Sequence, residues 1–83
     1  MGEIKMQELQ IVLVAIGGID GTLDSVMYDR RQDRLRVEWS TGLRRYDLLV
    51  VEGDASMKVY GGWYDTEQAS YGGVLSDLAG WLA

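Results

Sequence analysis

Arg34-Leu35-Arg36-Val37-Glu38-Trp39-Ser40 alternates polar and apolar residues over its whole length, the period of a strand with one buried face. Placing a two-residue turn at Thr41-Gly42 sets Ser40 opposite Leu43. It also sets Trp39 opposite Arg44, Glu38 opposite Arg45, Val37 opposite Tyr46, Arg36 opposite Asp47 and Leu35 opposite Leu48. One face then collects Leu35, Val37, Trp39, Tyr46 and Leu48. The other gains two opposite-charge pairs, each worth roughly 0.2–1 kcal/mol. A one-residue slip would turn every one of these side chains to the wrong side.

The neighbouring turns extend the pattern. A turn at Arg31-Gln32 sets Asp29 opposite Arg34, Tyr28 opposite Leu35 and Val26 opposite Val37. A glycine-first turn at Gly53-Asp54 sets Val50 opposite Met57 and Leu48 opposite Val59, as in type II′ hairpins. All three turns place Val26, Tyr28, Leu35, Val37, Trp39, Tyr46, Leu48, Val50, Met57 and Val59 on one face. Agreement of independent local signals is strong evidence for a fold. The prediction is an α+β protein built on a four-stranded antiparallel β-meander, with strands at about 22–29, 33–40, 43–51 and 55–60.

A sheet with one apolar face needs a cover. Toward the C-terminus, Asp65 followed by Gln68 resembles a capping box, and Tyr71, Val74, Leu75, Leu78, Trp81 and Leu82 recur at helical spacing. This predicts a C-terminal helix that begins or breaks at Gly72-Gly73, since glycine costs about 1 kcal/mol against alanine inside a helix. Residues 3–16 read as an N-terminal helix with Met6, Leu9, Val12, Leu13 and Ile16 on one side and Gly17 as its stop. The run Ile11-Val-Leu-Val-Ala-Ile16 also suits an extra buried strand.

The 83 residues are expected to form a single domain, 1–83. Folded, a chain of this mass exposes roughly 5,000 Å² against about 13,500 Å² when extended, enough for one thin core. Hydrophobic residues make up 47% and charged residues 25%, which excludes disordered, collagen-like and coiled-coil classes. The apolar run 11–16 is far shorter than the roughly 20 residues of a membrane span, and the N-terminus lacks the basic region of a secretory signal. No membrane association and a cytoplasmic location are expected.

The net charge of −5 is unevenly distributed. Residues 1–29 hold Lys5 against Glu3, Glu8, Asp20, Asp24 and Asp29, a net of −4. Residues 30–45 hold Arg30, Arg31, Arg34, Arg36, Arg44 and Arg45 against Asp33 and Glu38, a net of +4. Residues 46–83 hold Lys58 against Asp47, Glu52, Asp54, Asp65, Glu67 and Asp77, a net of −5. An acidic body therefore carries a basic hairpin.

Catalytic constellations are scarce. The chain has no Cys and no His, removing thiolate chemistry and the usual general base and metal ligand. The segment Ile11-Val-Leu-Val-Ala-Ile-Gly-Gly-Ile-Asp20-Gly21-Thr22 resembles the first motif of haloacid-dehalogenase-type phosphatases. Gly18 stands at the position of that family's nucleophilic Asp, however, and only Asp20 matches. Tyr28-Asp29, Leu35-Arg36-Val37-Glu38-Trp39, Gly42 and Tyr46 look like the hairpin of small KTSC domains and, more loosely, like strands of SH3-like barrels. The chain beyond Leu48 follows neither. Acid pairs such as Asp20 with Asp24 or Asp29 with Asp33 lack the ligand density of a calcium loop. No enzyme activity, cofactor or metal is expected.

What remains is the outer sheet face, where Met27, Leu43, Leu49, Val51 and Tyr60 mix with Arg and Lys58. That is more apolar than a solvated face requires. Aromatic Trp63 and Tyr64 follow the last predicted strand, and such residues anchor interfaces. The expectation is a small acidic protein-binding module, an inhibitor or adaptor, binding through Leu49, Val51, Tyr60, Trp63, Tyr64, Arg34, Arg36 and Arg45. One concrete form is a phage- or mobile-element-borne inhibitor similar to anti-CRISPR proteins, whose carboxylates occupy a basic groove of a nucleic-acid-binding complex. The alternatives are nucleic-acid binding through the arginine hairpin, and a homo-oligomeric accessory or structural protein.

Overall fold

A computed structural model describes residues 2–17, 21–61 and 66–82. Helix α1 spans Gly2–Gly17, and five strands follow: β1 Thr22–Asp29, β2 Arg34–Ser40, β3 Arg44–Val51, β4 Asp54–Gly61 and β5 Thr66–Val74. A 3₁₀ turn at Leu75–Asp77 leads into the short helix α2, Leu78–Leu82. The strands form one antiparallel sheet in the order β1-β2-β3-β4-β5. The architecture is α+β, with five strands where four were expected and helices at both ends of the chain.

The fifth strand replaces the first half of the expected C-terminal helix. Thr66–Val74 pairs with β4 and sets Tyr71 opposite Met57 and Ser70 opposite Lys58. Gly72 and Gly73 disfavour helix, and the exposed edge of β4 offers this segment a full ladder of backbone partners. Only the residues after Val74 turn helical. The backbone N–H of Leu75 donates to the Gly53 carbonyl at 3.2 Å, tying the end of β5 to the β3–β4 turn. Asp65 lies outside the described residues, as do Trp63 and Tyr64.

The predicted apolar face is the buried one over β2, β3 and β4. Leu35, Val37, Trp39, Tyr46, Leu48, Val50, Ala55, Met57 and Val59 are all buried, beneath Val12 and Ala15 of α1 and Leu75 and Leu78 near the C-terminus. Burying one such aliphatic side chain contributes roughly 1.5–3 kcal/mol. Helix α1 settles on Val12 and Ala15, with Leu9 packed beside them, and leaves Leu13 exposed. Six consecutive apolar residues, 11–16, give the helix no unique inner face. The cover does not reach β1, where Leu23, Val26 and Tyr28 remain about two-fifths exposed.

Two of the three turns are displaced by one residue from their predicted positions. The β1–β2 register is as expected, with Asp29 opposite Arg34, Tyr28 opposite Leu35 and Val26 opposite Val37, followed toward the N-terminus by a bulge between Leu23 and Ser25. Between β2 and β3 the turn centres on Gly42-Leu43, so Glu38 faces Asp47, Trp39 faces Tyr46 and Val37 faces Leu48. Thr41 fixes this phase. Its N–H donates to the Arg44 carbonyl at 2.8 Å, and its Oγ1 accepts from the N–H groups of Leu43 and Arg44. The β3–β4 turn centres on Glu52-Gly53, whose φ angles of 52° and 84° suit a type I′ hairpin. Leu48 therefore faces Met57, and Val50 faces Ala55. Each displacement moves the register by two residues, so every side chain keeps its face while changing its partner.

Candidate functional site: the concave outer face of the sheet

Across the sheet from the helices, β2, β3 and β4 present Arg34, Arg36, Arg45, Asp47, Leu49, Val51, Ser56, Lys58 and Tyr60, because successive strand residues alternate between faces. Met27 of β1 stands beside Arg36, and Ser70 of β5 beside Lys58. Bulges between Leu23 and Ser25 and between Val59 and Tyr60 interrupt the two outer ladders, and bulges bend and twist the strands that carry them. A concavity of about 650 Å³ lies on this face, lined by Met27, Arg34, Arg36, Leu49, Lys58 and Tyr60 among others.

Arg36 organises its middle. Its Nη2 lies 2.8 Å from Asp47 Oδ2 and its Nε 3.1 Å from Asp47 Oδ1, a bidentate pair made diagonally across β2 and β3. Glu38 adds a third acidic oxygen at 3.4 Å. The hydrogen bond and charge of Asp47 hold the guanidinium pKa above its ordinary value, against a smaller desolvation effect. Arg36 is thus a fixed cation with its fork already occupied. The expected direct pairing of Glu38 with Arg45 does not form, since the register sets Arg45 opposite Ser40 and Tyr60. Instead the Arg45 guanidinium lies 4.8 Å from the centre of the Tyr60 ring, within cation–π range.

The remaining charges have local anchors. Arg34 donates from Nη1 to Gln32 Oε1 at 2.7 Å. Its expected partner Asp29 accepts the N–H groups of Arg31 and Gln32 through Oδ1, at 2.9 and 3.3 Å, and so shapes the β1–β2 turn. Lys58 Nζ stands 3.8 Å from Glu67 Oε2, while Ser70 Oγ donates to Glu67 Oε1 at 2.7 Å. Both ends of the Lys58–Glu67 pair are well exposed, so water screens it.

Of the residues predicted to bind a partner, Leu49, Tyr60, Arg34 and Arg36 line the concavity together. Val51 is on the same face opposite Arg34, and Arg45 lies beside Tyr60; neither lines the hollow itself. Trp63 and Tyr64 lie outside the described residues. Leu43 sits in the β2–β3 turn and is 83% exposed, away from the concavity. Met27 and Lys58, part of the mixed face in sequence, prove to be lining residues, and alternation along their strands was the signal for both. Ser70 was missed because its segment reads as helix.

Leu49, Val51 and Tyr60 are half-buried, so curvature shields part of this face and leaves the rest open. Among the described residues, no three acidic side chains converge as a metal site, and no helix is long and apolar enough to cross a membrane. Comparison with protein-family models, curated proteins and solved structures finds no match to this chain.

Proposed function

We propose that the chain is a non-catalytic protein-binding module, an inhibitor or adaptor, whose concave outer face receives a segment of a partner protein. The observation that carries this reading is the 650 Å³ hollow with Leu49, Met27 and Tyr60 beside Arg34, Arg36 and Lys58. Apolar anchors among both cations and the carboxylates of Asp29 and Asp47 suit an extended segment that carries hydrophobic side chains alongside polar or charged ones. The Arg36–Asp47 pair supports rigidity, since a bidentate pair holds its geometry before any partner arrives.

Affinity capture from the native host with the full chain tests the reading. Leu49→Asp and Tyr60→Ala are expected to lose a protein that wild type retains, while Leu43→Asp keeps it and circular dichroism is unchanged in all three. If both concave-face variants retain the same proteins as wild type, this face is not the binding surface. The arginine hairpin makes nucleic acid the competing ligand, and salt separates the two. Contacts to phosphate weaken steeply and linearly in log salt. No binding to single- or double-stranded oligonucleotides is expected at physiological ionic strength. Sub-micromolar binding there would replace the protein-partner reading with the nucleic-acid one.

A further inference from the structure

Strand β1 is an edge of the sheet, hydrogen-bonded to β2 on one side only. Such edges are ordinarily blunted by charged side chains, lysine above all, by proline, by a bulge or by a covering element. Thr22–Asp29 contains neither lysine nor proline, and its charges and its bulge stand toward its ends, at Asp24 and Asp29, leaving Ser25–Asp29 in regular register with β2 and its middle, Ser25–Tyr28, uncharged. The helices do not cover it. Val26 and Tyr28 are 40% and 41% exposed on the core side, and Met27 is 57% exposed on the outer side.

We infer that β1 pairs with β1 of a second copy of this chain, giving a continuous ten-stranded antiparallel sheet about a two-fold axis at Met27. The strand is self-complementary in one register. With Met27 opposite the partner's Met27, Val26 meets the partner's Tyr28, and Ser25 meets the partner's Asp29. Both Val26 and Tyr28 pair with core-facing residues of β2, Val37 and Leu35, so they meet on the same side. Just beyond this regular segment, Asp24 at the bulge and the partner's Arg30 at the start of the β1–β2 turn come together at each end of the pairing, twice over by symmetry. Neither Asp24 nor Arg30 has an ion-pair partner among the described residues. Shifting the register by two residues toward the N-terminus would set Asp24 against Tyr28 and lose both charge pairs.

A two-fold axis perpendicular to the sheet keeps both concave faces on one side. Met27 already lines the hollow, so the partner's Met27 extends its open wall. The dimer does not depend on what that hollow binds.

The test reads mass and cross-linking on the full chain, without any ligand. Sedimentation of wild type is expected to show a monomer–dimer equilibrium between low and high micromolar concentrations. Met27→Lys places two like charges at the axis and should remain monomeric with an unchanged circular dichroism spectrum. Arg30→Asp should raise the dissociation constant several-fold, and Asp24→Arg combined with Arg30→Asp should restore it. Because the chain has no cysteine, Met27→Cys introduces a single thiol. A mild oxidant should join two copies through it, whereas Leu43→Cys at the β2–β3 turn should stay uncross-linked. A wild type that is monomeric throughout overturns the inference. So does a dimer that persists in both Met27→Lys and Arg30→Asp, or cross-linking at Leu43→Cys as fast as at Met27→Cys. Should Met27→Lys unfold, the Arg30 variants and the two thiol variants still decide.

Discussion

At the scale of single residues, Trp39 combines a strong contribution with a built-in cost. It is fully buried and stacks on Tyr46 with ring centres 5.1 Å apart and planes 3° from parallel. Among the described residues its Nε1 has no hydrogen-bond partner, and an orphaned buried donor costs about 1–3 kcal/mol. Trp39→Phe removes the orphan while keeping an aromatic plate, so the two effects oppose each other. Urea unfolding should place it within about 1.5 kcal/mol of wild type, whereas Trp39→Ala should lose about 3–5 kcal/mol. Equal losses in both variants would mean that the indole nitrogen is satisfied in solution. Tyr71 shows the contrasting arrangement. Its hydroxyl donates to the Val74 carbonyl at 2.8 Å and its ring leans on Trp81. Burial, with a smaller effect from Asp77, pushes its pKa above the ordinary tyrosine value.

At the scale of elements, the hairpin turns separate two ways in which glycine matters. Gly53 has φ of +84°, and a Cβ built there meets nothing within 4 Å. Gly42 is equally open, without the positive φ. Gly53→Ala should therefore destabilise by about 1–2 kcal/mol through backbone conformation alone, while Gly42→Ala should be close to neutral. Thermal unfolding of the two variants checks this; equal effects would refute the type I′ assignment. The same turns explain which part of the sheet was legible in the sequence. Moving a two-residue turn by one position shifts the register by two, and the alternation of Leu35, Val37 and Trp39 is satisfied either way. The predicted face was therefore right while the predicted partners Glu38 and Arg45 were not. The choice belonged to the Thr41 hydroxyl and to the positive φ of Glu52 and Gly53.

At the scale of the whole molecule, the cover depends on two helices meeting over the sheet. Leu78 is fully buried and belongs to the same core as Val12, yet α2 has only five residues and is too short to be stable alone. Leu78→Ala should cost about 2–5 kcal/mol. Amide exchange should quicken in α1 as well as α2, because both lose the shared packing; an effect confined to 75–82 would show that α1 is held independently. Sequence alone determined which face of β2, β3 and β4 is buried, because a period of two needs no knowledge of partners. It also placed Leu49, Tyr60, Arg34 and Arg36 on one surface. Tertiary structure decided the rest. Thr66–Val74 became a strand because β4 offered it a ladder, which no local helical spacing could reveal. Helix α1 buried Val12 and Ala15 rather than Leu13 because an all-apolar stretch defines no inner face until the sheet selects one. Curvature then gathered Leu49, Lys58 and Met27 from three strands into one hollow, a product of bulges and twist that act only once the strands are paired.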